Sequence, residues 1–75
     1  MNICYDNEVD AVYIQLGDET PEGVVEVSEG VHIDLTQDGK LVGIEILDAS
    51  KKMNINTILS YNLKLKDNGI PAGIS

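Results

Sequence analysis

The sequence predicts an α+β domain, a mostly antiparallel sheet of about five strands joined as hairpins and a meander, with one C-terminal helix packed on one face. Three observations carry this. Nineteen of the 75 residues are the β-branched Val, Ile or Thr, and they concentrate before residue 48 in short runs separated by turn-forming residues. Within those runs apolar and polar positions alternate, the period of a strand with two different faces. Near Asp48-Ala49-Ser50 the period changes, and Ile55, Ile58, Leu59 and Leu63 recur at helical spacing.

Met1 to Tyr5 reads as the first strand, and Asp6-Asn7-Glu8 as a tight turn, since Asp and Asn tolerate left-handed geometry. The second strand, Val9 to Leu16, carries Asp10, Val12, Ile14 and Leu16 on one face and Val9, Ala11, Tyr13 and Gln15 on the other. Gly17 to Gly23, with Pro21 inside, is a loop. Val24 to Val27 is the third strand, and Ser28-Glu29-Gly30 leads into a fourth, Val31 to Leu35, with His32 and Asp34 opposite its three apolar residues. Thr36-Gln37-Asp38-Gly39-Lys40 is the strongest hairpin signal.

The fifth strand, Leu41 to Leu47, sets Val42, Ile44 and Ile46 against Leu41, Gly43, Glu45 and Leu47, so both its faces are partly apolar and it belongs at the centre of the sheet. A helix from about Ser50 to about Ser60, capped by Asp48 or Ser50, is expected to cover Val12, Ile14, Val42, Ile44 and Ile46. Tyr61, Leu63 and Leu65 alternate with Asn62, Lys64 and Lys66, so a short strand competes with the helix end. The domain is expected over residues 1–66, followed by a flexible tail, 67–75, holding two Gly and a Pro.

Thirteen acids against five lysines give a net charge of -8, a sign that repels phosphate backbones and argues against direct nucleic-acid binding. Residues 1–39 hold ten of the acids and no Lys or Arg. No basic and apolar leader or long apolar run is present, so neither a signal peptide nor a membrane span is expected. The single Cys4 excludes an internal disulfide and suits a reducing compartment, which makes the cytoplasm the expected location.

Three stretches carry a resemblance: Tyr5-Asp6 with Val9-Asp10-Ala11-Val12-Tyr13-Ile14, then Asp34 to Gly39, then Gly43-Ile44-Glu45-Ile46-Leu47-Asp48-Ala49-Ser50. Together they resemble the small prokaryotic domain of unknown function numbered 2283, over about residues 1–50. The resemblance implies a compact β-rich domain without an established activity. Some family members are encoded beside small toxins, which implies an antitoxin-like role.

No catalytic, cofactor or metal set is expected. Asp6-Asn7-Glu8-Val9-Asp10 begins like a calcium loop, but Ala11 stands where the loop needs Gly and Gly17 where it needs a bidentate Glu. His32 and Asp34 share a strand face, yet one His and one carboxylate fall short of a zinc site. A nucleophilic set of Cys4, His32 and Asp34 is outweighed by simple packing of the cysteine. The Lys51-Lys52 pair opposes the dipole at the expected helix start and reads as exposed charge.

The expected function is therefore a small acidic protein-interaction module, a partner for a basic protein and itself a homodimer rather than an enzyme. The dimer is expected to bury a second apolar face made by Val9, Ala11, Tyr13, Leu41 and Leu47. The alternative is a small-ligand or metal-binding protein, or an enzyme, with a site between subunits. Tyr5, Asp10, His32, Asp34 and Glu45 are the polar residues to watch in that case, each lying in or at the edge of a strand.

Overall fold

A computed structural model of the chain describes residues 1–58. Alternation and turn chemistry place five strands, β1 (Asn2–Asp6), β2 (Ala11–Gln15), β3 (Gly23–Ser28), β4 (Val31–Leu35) and β5 (Leu41–Leu47). Two single-turn helices follow, α1 (Ala49–Lys52) and α2 (Ile55–Ile58). The strands form one antiparallel sheet in the order β1-β2-β5-β4-β3, which puts β5 at its centre as the two-sided pattern requires.

Tight turns make three of the four connections. The β4–β5 turn closes through Thr36, whose N–H donates to the Lys40 carbonyl at 2.9 Å and whose carbonyl accepts the Gly39 N–H at 3.0 Å. Gly39 takes φ 87°, a conformation that glycine adopts without steric cost. The fourth connection, between β2 and β3, crosses three strand spacings, roughly 14 Å, which a seven-residue loop spans easily. Spatially β2, β5, β4 and β3 have the order of a Greek key.

The register sorts the sheet into two chemically different faces. On one face Ile3, Ile14, Ile44, Ile33 and Val25 lie opposite one another across all five strands, and beside them run Tyr5, Val12, Ile46 and Val31. Val12 is fully buried, and Val42 is 4% exposed at a bulge in β5. The other face carries the rows Cys4-Tyr13-Glu45-His32-Glu26 and Asn2-Gln15-Gly43-Asp34-Val24.

That second face departs from expectation. Val9 lies in the β1–β2 turn, because Asp10 adopts a left-handed φ of 55° and delays β2 to Ala11. Leu41 and Leu47 stand at opposite ends of β5 with Glu45 and Gly43 between them. The continuous apolar patch expected from Val9, Ala11, Tyr13, Leu41 and Leu47 is thus broken by a polar row.

The helix differs too. Met53 is extended, with φ -153° and ψ 162°, and splits the expected single helix into two turns. The Asn54 carboxamide oxygen accepts the Asn56 N–H at 3.0 Å, so Asn54 starts a second helix instead of continuing the first. Asp48 precedes α1 in a left-handed conformation and makes no side-chain cap. Lys51 and Lys52 fall in the last turn of so short a helix, where the dipole favours cations, and Lys52 Nζ donates to the Leu47 carbonyl. The expected end of the helix at Ser60, the competing strand at 61–66, the domain end at 66 and the tail lie outside the described residues.

The apolar face sets a stability test. Val12→Ala, losing two methyls from a fully buried site, should cost about 1.5–3 kcal/mol, and Ile44→Asp should abolish the cooperative transition. Glu45→Gln, on the opposite face of the same strand, should stay within about 0.5 kcal/mol. Circular dichroism melts decide it: an Ile44→Asp protein that melts like Glu45→Gln would remove the apolar face from its role.

Candidate functional site

The five polar residues singled out by the sequence separate into two groups on opposite faces. Tyr5 and Asp10 meet beside the β1–β2 turn on the apolar side. His32, Asp34 and Glu45 lie on the polar face.

At the turn, the Glu8 N–H donates to Asp6 Oδ1 at 3.0 Å, a local Asx turn that reverses the chain. The Asp10 carboxylate then faces away from any ion-binding loop and toward α1. It accepts the Ser50 hydroxyl at 2.7 Å, the Ser50 N–H at 3.0 Å and the Tyr5 hydroxyl at 2.8 Å. The Asp10 carbonyl accepts the Ala49 N–H at 2.9 Å. Asp10 thereby caps a helix from 40 residues away, the role expected of Asp48. Ser50, expected as a possible cap itself, is the donor.

These bonds hold the Asp10 carboxyl below the ordinary carboxylate range, through the Ser50 hydroxyl first, then the Ser50 N–H and the Tyr5 hydroxyl. The Tyr5 phenol moves up for the reciprocal reason, its bond to the Asp10 carboxylate, with desolvation second.

On the polar face, Tyr13 reaches diagonally across the Gly43 position to donate to Asp34 Oδ2 at 3.1 Å. A Cβ at residue 43 would lie 2.0 Å from the Tyr13 hydroxyl oxygen, so this crossing exists only because residue 43 is glycine. Burial first, then the Asp34 hydrogen bond and the charges of Asp34 and Glu45, raise the Tyr13 phenol. His32 stands between two carboxylates, with Nε2 at 3.2 Å from Glu26 Oε2 and Nδ1 at 3.6 Å from Glu45 Oε1. The second distance is too long for a hydrogen bond, and Nδ1 is buried without a partner among the described residues.

Among the described residues this arrangement holds side chains in place and presents acids. Cys4 is exposed, and it shares the His32 row at three strand spacings, roughly 14 Å, so the thiol has no adjacent base there. Among the described residues no three His, Cys, Asp or Glu side chains converge on a metal position. No helix among them is long and apolar enough to cross a membrane. A cleft of about 450 Å³ does open beside His32, lined by Glu26, Ser28, Glu29, Gly30, His32, Leu47, Asp48 and Lys52.

Sequence reasoning missed Glu26 as the partner of His32, and the Tyr13-Gly43-Asp34 crossing. Gly43 within a central strand was the available signal, since an interior strand glycine marks a close approach.

Two measurements test the site. Gly43→Ala should destabilise by about 1–3 kcal/mol by displacing the Tyr13 ring. In a Tyr13→Ala background the same change should be neutral or stabilising, so additive costs would sink the crossing. For Asp10, the folded carboxyl titrates below its unfolded value, so its stabilising effect is complete above the ordinary carboxylate pKa and fades as pH falls through the lowered one. Asp10→Asn should lower the melting midpoint by a few degrees at neutral pH and flatten the acid limb below the ordinary carboxylate pKa. An unchanged acid limb would refute the cap.

A family profile described as "Protein of unknown function (DUF2283)" matches residues 2–50. No curated protein and no solved structure matches the chain. The matched segment begins with β1 and ends on Ser50, and it therefore contains the whole sheet and both halves of the Asp10–Ser50 clasp. By a match that covers about two-thirds of its length, the chain belongs to the DUF2283 family of proteins of unknown function.

Proposed function

We propose that the domain is an acidic protein-interaction module that binds a small basic protein, in the manner of an antitoxin covering its toxin. The observation that supports this reading is the distribution of charge over the folded surface. Ten carboxylates among the described residues are exposed (Asp6, Glu8, Asp18, Glu19, Glu22, Glu26, Glu29, Asp38, Glu45 and Asp48), against three exposed lysines, Lys40, Lys51 and Lys52.

A predominantly acidic surface of this kind speeds encounter with a basic partner and disfavours acidic competitors. The partner best suited to it is a small protein with a basic groove of its own, such as one that acts on nucleic acid; the module would cover the groove and exclude the substrate. The polar groups tied up in the Asp10 and Tyr13 clusters serve the fold and leave the exposed carboxylates as the recognition surface.

The test is calorimetric titration with the product of the neighbouring gene, at low and high ionic strength. Saturable binding at low salt that weakens tenfold or more at high salt is expected. Absence of binding at low salt would count decisively against the proposal.

A further inference from the structure

Among the described residues strand β3 is the outer strand on its side of the sheet, and all six of its residues are exposed. Val24, Val25 and Val27 are 64%, 47% and 54% exposed. Natural sheets guard such edges with lysine, proline or a covering segment, because an open row of N–H and C=O groups recruits further strands. β3 contains neither Lys nor Pro, and its one irregularity is a bulge near its end, between Glu26 and Ser28. The opposite edge is different: Ile3 and Tyr5 of β1 are half-buried.

The surroundings of the open edge are mostly acidic. Glu22 precedes the strand, Glu26 lies in it and Glu29 follows it, and no lysine or arginine occurs before residue 40. The cleft of about 450 Å³ at the far end of β3 adds Asp48 to Glu26 and Glu29, with His32 and Lys52 also in its lining. A second copy of the chain is a poor occupant, since twofold antiparallel pairing would line up two sets of Glu22, Glu26 and Glu29 along one seam.

We propose that the β3 edge docks an extended segment of a basic partner protein, in which apolar residues alternate with Lys or Arg, as an added strand. The proposal rests on the interaction-module reading and names its surface. Main-chain hydrogen bonds along β3 supply affinity, and alternation puts the segment's cations beside Glu22 and Glu26.

The probe is a ten-residue peptide alternating valine and lysine, followed by amide NMR shifts of the full chain. The control has proline in place of every valine, with equal charge but no capacity for a regular ladder. Expected are saturable shifts concentrated over residues 22–30, at least tenfold weaker binding of the control, and loss of binding in Val24→Lys/Val25→Lys. That variant should fold, because both positions are exposed. Glu22→Gln/Glu26→Gln/Glu29→Gln should weaken binding. Equal binding of both peptides across the whole acidic surface would overturn the β3 assignment and leave the interaction module standing. Failure of both peptides and of the neighbouring gene's product would end both readings. Shifts of β3 amides with protein concentration alone would give the edge to a second copy and overturn the proposal.

Discussion

Among the described residues the pairing of β2 with β5 is the one ladder that joins the β1–β2 hairpin to the β3–β4–β5 meander, and it closes a long loop, with residues 16–40 intervening. The other ladders join strands linked by short turns and cost little closure entropy, whereas this one must order a long segment before any contact forms. Its compensation is concentrated. The pairs Val12–Ile46 and Ile14–Ile44 put apolar side chains together on the buried face, and Val12 there is excluded from water entirely.

Both ends of this ladder are fastened. At one end the Asp10 carboxylate and carbonyl take hydrogen bonds from Ala49 and Ser50, immediately after β5. At the other, the Leu16 and Gly17 N–H groups both donate to the Val42 carbonyl, at 2.8 and 3.1 Å. On the polar face Tyr13 spans the same junction through the gap above Gly43 and continues to Asp34 on β4, so one side chain links three strands. A sheet this small has little core, and polar clasps at the junction of its halves supply order that burial alone would not.

Fastening the interior in this way has a consequence for the surface. Asp10 and Asp34 are consumed by structural bonds, and His32 sits between Glu26 and Glu45; the other acids among the described residues face water on turns, edges and the polar face. Their repulsion raises the energy of the folded state. Among the described residues the fold thus joins a sheet locked along its centre to an exposed outer strand beside carboxylates.

Much of this was legible in the chain of residues. Alternation determined which side chains share a face, so β4 and β5 fall where the pattern puts them and Ile44 and Glu45 point to opposite sides. Turn chemistry at Thr36–Lys40 determined the hairpin, because glycine alone adopts that φ freely. Strand order was not legible, since a period of two says nothing about which strands become neighbours. The helix cap was misassigned for a related reason: Asp48 is next in sequence, but only the tertiary fold brings Asp10, 40 residues earlier, within 2.7 Å of the Ser50 hydroxyl. The pairing of Tyr13 with Gly43 likewise needed β2 beside β5. Local patterning determined faces and turns, which depend on neighbours in sequence, while the tertiary structure decided strand order, the cap and the exposed edge, which depend on contacts that form only when distant segments meet.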